Sequence, residues 1–266
     1  MMNTKINSLL RSILFWAVFI GLLVGSGFLS AFSPGPFQRL TYGILGSLAA
    51  FLATLMFLKY EKSSFAAIGL VWEKRTLLRF ALGISLGAGI FAVCLIILLW
   101  LTGLRLQAAA KAFDPVTWLG YLAVIPLALM EEIGFRAYPF LKLDRAFGIR
   151  LTQFIVAVSF ALYHILNGWT IYAAFTGPFV WAFVFGLAAA WSKGIAMPTG
   201  IHVALNAGQM ITGMSGGNGL WKLGYAPGVS HPITERTATV ALLLQLAVLV
   251  CALALTEYYI RKKSVN

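Results

Sequence analysis

Charge is what this sequence of 266 residues has least of. Only 11% of it is Asp, Glu, Lys or Arg, against about a quarter in an average soluble domain. Acids are scarcer still: 8 Asp and Glu stand against 20 Lys and Arg, a formal charge of +12. Histidine occurs 3 times and cysteine 2 times. Cys94 and Cys251 each lie in an apolar run, which excludes a disulfide framework and a zinc knuckle. There is no HExxH helix, no internal repeat, no low-complexity tract and no linker. The basic excess does not point to nucleic acid. No arginine-rich arm or RNA-binding motif is present, and the cations gather at the ends of apolar runs, where they set orientation and meet anionic headgroups.

What is abundant is hydrocarbon. Hydrophobic residues make up 60% of the chain and the mean hydropathy is +0.87, more than the core of one domain absorbs, so lipid is the expected solvent. Eight apolar windows read as membrane-spanning helices, at 11–32, 40–58, 80–104, 117–138, 150–166, 171–192, 195–213 and 238–260. The first is long for a signal peptide and reads as an uncleaved anchor. With the N-terminus inside, fourteen Lys and Arg fall in inner segments and five in outer ones, including Lys111. That bias places both termini in the cytoplasm. The expected fold is an all-α polytopic bundle of about eight transmembrane helices, one membrane domain over 1–266, in a bacterial cell membrane. Residues 59–79 read as an interfacial segment, "GISLG" at 83–87 as a close helix contact, and "MSGGNGL" at 214–220 as a flexible loop.

In such a chain the buried polar residues need a reason. Most acids, Asp114 among them, fall in loops or near span ends; Glu131 and Glu132 lie well inside one. His231 falls in an outer loop, whereas His164 and His202 lie in spans. Spacing sorts them. Glu132 and Arg136 are four apart and share a helix face, and Glu131 is turned about 100° away. Phe160 shares a face with His164, and His202 with Asn206. Polar faces cannot face lipid, so three helices should turn these groups inward together. A carboxylate and an imidazole can take a proton from water. A second imidazole and an amide can stabilise an oxyanion. The same His, His and Glu could instead bind zinc. A proton-coupled transporter, or a membrane module that uses the cluster as a scaffold, also buries such groups.

The motifs "EEIGFR" at 131–136, "FALYH" at 160–164 and "HVALN" at 202–206, with the lead-in "GIAMPTGIH" at 194–202, resemble the CPBP family. These are the CAAX proteases and bacteriocin-processing enzymes, also called ABI proteins or type II CAAX prenyl endopeptidases and in part described as metalloproteases. The resemblance covers about 117–215. It implies an intramembrane glutamic endopeptidase in which Glu131 and His164 activate water, and His202 and Asn206 form the oxyanion hole. Glu132 and Arg136 support the site, and Phe160 packs beside His164. It implies no cofactor, with zinc as the runner-up. The partners implied are the lipid bilayer and a membrane protein or lipidated peptide as substrate. The catalytic cavity is expected to open on the cytoplasmic side, the side of the termini.

Overall fold

The computed structural model describes residues 2–109, 115–215, 219–225 and 231–265. Lys111 and Asp114, residues 216–218 of the glycine-rich loop and the side chain of His231 lie outside the described residues. Helices dominate: α1 (Met2–Ser30), α2 (Gly35–Tyr60), α3 (Thr76–Thr102), α4 (Pro115–Leu122), α5 (Val124–Arg136), α6 (Tyr138–Phe147), α7 (Ile149–Leu166), α8 (Ile171–Thr176), α9 (Pro178–Ser192), α10 (Ala196–Ile211) and α11 (His231–Val265). Large apolar side chains stand exposed along them, including Phe28 at 71%, Trp100 at 82% and Val250 at 64%. In water such a surface would aggregate; against acyl chains it is at home. Several buried hydroxyls bond back to the carbonyl four residues earlier, as Thr54 does to Ala50 and Thr256 to Ala252, which satisfies them within their own helix. The protein is an integral, multi-pass, all-α membrane protein.

Seven segments among the described residues are long and apolar enough to cross a membrane. The eighth expected span, 195–213, is α10, a helix of 16 residues and too short for that count. It nevertheless packs closely along the first half of α3. Gly83 lies against Met197 and Gly200, Gly87 against Ile201 and Ala204, and Phe91 against Gly208, so the two helices are parallel. A Cβ on Gly87 would stand 2.6 Å from the Ile201 carbonyl oxygen. The spaced glycines therefore let backbone meet backbone. Both helices then lead into one small antiparallel sheet, β1 (Arg105–Ala108) with β2 (Trp221–Gly224), in which Arg105 opposes Gly224. Nothing in the hydropathy pattern announces that pairing.

The fourth span is longer than its apolar pattern. It runs Trp118–Phe147 and is broken at Ala137 (φ −86°, ψ −102°), two residues before Pro139. Proline lacks the N–H that would continue the ladder and clashes with the carbonyl four residues back. The sixth span breaks in the same way at Gly177, before Pro178. Because α6 carries the chain on to Phe147, Glu131 sits in mid-span rather than near its end. α5 itself is held tightly. Gly134 lies against the Phe19 ring and its carbonyl accepts from Trp16 Nε1 at 3.2 Å. Ser47 donates to the Pro126 carbonyl at 2.7 Å.

Candidate active site

Glu131, His164, His202 and Asn206 all line one cavity of about 570 Å³. They come from α5, α7 and α10, the three helices whose polar faces are turned inward. The two adjacent glutamates have different surroundings. Glu132 is fully buried and its Oε1 accepts from Arg136 Nη1 at 3.3 Å and from His202 Nδ1 at 2.9 Å. Glu131, with its side chain 15% exposed, reaches only His202 Nε2, at 3.6 Å, beyond hydrogen-bonding range. Among the described residues no donor satisfies it.

Arg136 is buried with Glu132. Its guanidinium lies over the rings of Phe160 at 4.3 Å and Phe185 at 5.1 Å, where the negative ring faces offset part of its desolvation. Its Nε and Nη2, and Glu132 Oε2, have no hydrogen-bond partner among the described residues. Phe160 does more than flank His164. Its ring packs edge-on to His164 at 4.5 Å and meets His202 at 6.3 Å, while Phe185 stacks on His202 at 4.6 Å. Both imidazoles are thus gripped by aromatic neighbours.

Hydrogen bonding fixes which nitrogen each ring offers. His164 Nδ1 lies 2.8 Å from the Phe160 carbonyl oxygen. A carbonyl only accepts, so Nδ1 carries the proton and Nε2 keeps its lone pair for the cavity. His202 Nδ1 donates to a carboxylate oxygen that already accepts from Arg136. Its Nε2 faces Glu131 and is a donor only when the ring is doubly protonated. The sequence spacing gave no hint of the bond between His202 and Glu132.

The wall also holds groups that the motifs leave out. Tyr42 and Arg39 come from α2, Tyr163 from the last turn of α7 and Asn167 from just after it. The Tyr42 and Tyr163 side chains lie near each other, and Asn167 Nδ2 donates to the Tyr163 carbonyl at 2.7 Å. Tyr163 sits inside "FALYH", but its apolar neighbours make it read as core. Tyr42 and Arg39 stand three apart at the start of an ordinary apolar helix, a pattern with no chemical signature.

The cavity lining runs from the middle of the bundle to the end opposite the two termini. The mouth is formed by Arg39 at the start of α2, Asn167 and Trp169 after α7, and Met214 and Ser215 after α10. All lie at the end of the bundle opposite the two termini. At the other end the floor is closed by buried Phe160 and Phe185, with Arg136 and Phe135 behind them. The apolar pattern alone ends the fourth span near residue 138. The true span ends at Phe147, and His164 lies in the last turn of α7.

Among the described residues no three His, Cys, Asp or Glu side chains come together as a metal ion requires.

No curated protein matches the chain. Residues 113–208, which carry all three motifs, match the family model Rce1-like, described as Type II CAAX prenyl endopeptidase Rce1-like. Over the motif-bearing segment the chain is thus similar to the CAAX-protease family that its residues resemble.

Proposed function

We propose that this protein is an intramembrane endopeptidase that hydrolyses a peptide bond of a membrane-associated substrate, a prenylated CAAX-type end or a bacteriocin-related peptide, with water and no metal. The observation that carries this reading is the inequality of the two adjacent carboxylates. Glu132 is spent on Arg136 and His202, and Glu131 faces the cavity without a donor. In the proposed step, Glu131 and the Nε2 lone pair of His164 accept from a water, whose oxygen attacks the scissile carbonyl carbon as one O–H proton moves to the carboxylate. The carbonyl oxygen becomes an oxyanion, which the Asn206 amide stabilises, joined by His202 when its Nε2 bears a proton. The intermediate collapses, the C–N bond breaks, and the proton passes to the leaving nitrogen. An acid and an amine result. Glu132 and Arg136 position His202, and Phe160 holds both rings.

The protein is read as a bacterial cell-membrane protein with cytoplasmic termini, since most of its Lys and Arg lie at that end. The test is cleavage of a quenched-fluorescence lipopeptide reporter by the purified protein in lipid nanodiscs. Turnover by wild type and its loss in Glu131→Gln at unchanged thermal stability support the reading. A Glu131→Gln protein as active as wild type overturns it.

A further inference from the structure

We infer that the cavity of this protein is served from the outer face of the membrane, and that its substrates are peptide segments of exported or membrane-anchored proteins that have already crossed. The inference rests on the protease reading above and chooses between its two substrate classes. Two independent observations meet in it. The first is geometric. Every mouth residue, Arg39, Asn167, Trp169, Met214 and Ser215, lies where α2 begins and where α7 and α10 stop. Trp169 and Met214 are exposed there at 46% and 37%, while the opposite end of the cavity is sealed by the Phe160, Phe185 and Arg136 stack.

The second observation is electrical. At the sealed end the described residues gather Lys5, Arg11, Lys59, Lys62, Lys74, Arg75, Arg79, Lys142, Arg145, Arg150, Lys193, Arg261, Lys262 and Lys263. At the mouth end they hold Arg39, Arg105, Lys222 and Arg236. Cations in short connections are retained on the cytoplasmic side. The sealed end is then cytoplasmic and the mouth faces outward. A lipidated C-terminus made and kept in the cytoplasm would reach the wrong end of the bundle. An exported peptide, or the outer flank of a membrane anchor, reaches Glu131 through the mouth without crossing the aromatic floor.

Two measurements test this. The first places Ser215→Cys at the mouth, or Lys262→Cys at the other end, in a Cys94→Ser, Cys251→Ser background, and treats intact cells with a membrane-impermeant maleimide. The expected result is labelling of Ser215→Cys in intact cells and of Lys262→Cys only after lysis. The reverse pattern overturns the inference. The second compares new protein termini in membranes of cells carrying wild type or Glu131→Gln. Termini that depend on Glu131 should map to outer segments of exported or anchored proteins, and mapping to cytoplasmic segments overturns the inference. If labelling comes from outside and no terminus depends on Glu131, the protease reading falls and with it the substrate inference, while the outward mouth stands.

Discussion

Two of the less exposed glutamates, Glu61 and Glu132, are held by cations, one at the end of the bundle that carries the termini and one in its middle. Glu61, just past the end of α2, receives three donors on Oε1: Arg11 at 2.7 Å, Tyr138 at 2.7 Å and Lys142 at 2.6 Å. These tie α1, α2 and α6 together, beneath an aromatic cluster of Phe15, Phe57 and Tyr138. Glu132 receives Arg136 and His202, with one oxygen left over. The same ion-pair chemistry gives a clamp in one place and a support in the other. The difference is the neighbour. Beside Glu132 stands Glu131, a carboxylate with no donor in reach, whereas Glu61 has no such companion. A saturated acid holds structure; an unsaturated one facing a cavity is available for chemistry.

The sharpest way to break that contrast is Glu131→Gln. Losing a general base costs about 10²–10⁴-fold in turnover, and the fold loses no hydrogen bond in the process. Turnover of the reporter should fall by that factor while the melting temperature stays within about 2 °C. Glu132→Gln should do something different. It leaves Arg136 buried without its partner, and breaking a buried pair costs about 3–5 kcal/mol. Its melting temperature in detergent should drop well below that of Glu131→Gln, and turnover should fall too, because His202 loses its anchor. If the two variants prove equally stable, the division of labour between the glutamates is wrong.

Glu61→Gln probes the clamp past the end of α2, and its effect is smaller. Its partners Arg11 and Lys142 are 29% and 24% exposed, so the cluster is worth about 1 kcal/mol once solvent screening is allowed for. Burial pushes the Glu61 carboxyl up, but the hydrogen bonds from Lys142, Arg11 and Tyr138 outweigh it and hold it below the usual carboxylate range. A carboxyl depressed on folding stabilises above its unfolded value, about 4.3, and that contribution is lost as pH falls through the folded value. Wild type should therefore melt above Glu61→Gln from neutral pH down to about pH 5, and the gap should close below about pH 4. Reporter turnover at neutral pH should stay within about twofold, since the cluster lies outside the cavity.

Much of this contrast was legible in the sequence, and the reason is periodicity. Spacing of four pairs Glu132 with Arg136 on one helix, and two glycines four apart mark the α3–α10 contact. Partners on different helices leave no such trace. The bond from His202 to Glu132 spans 70 positions and that from Lys142 to Glu61 spans 81. Tyr42 and Arg39 reach the cavity only because α2 packs on α5. Apolarity also misjudged the fourth span, because amphipathic α6 continues it after the break at Ala137. That one boundary sets how deep Glu131 lies in the bundle.

The smallest expected effect belongs to metal removal, and it tests whether the two carboxylates are divided as described. A zinc enzyme would need Glu131, His164 and His202 as joint ligands, and then Glu131 would be a held acid like Glu61. His202 is already bound through Nδ1 to Glu132, and no three such side chains among the described residues come together around one point. Incubation with 1,10-phenanthroline, followed by desalting, should leave reporter turnover within about twofold of the untreated protein. A loss that added zinc restores would make Glu131 a ligand and erase the difference between it and the held acids.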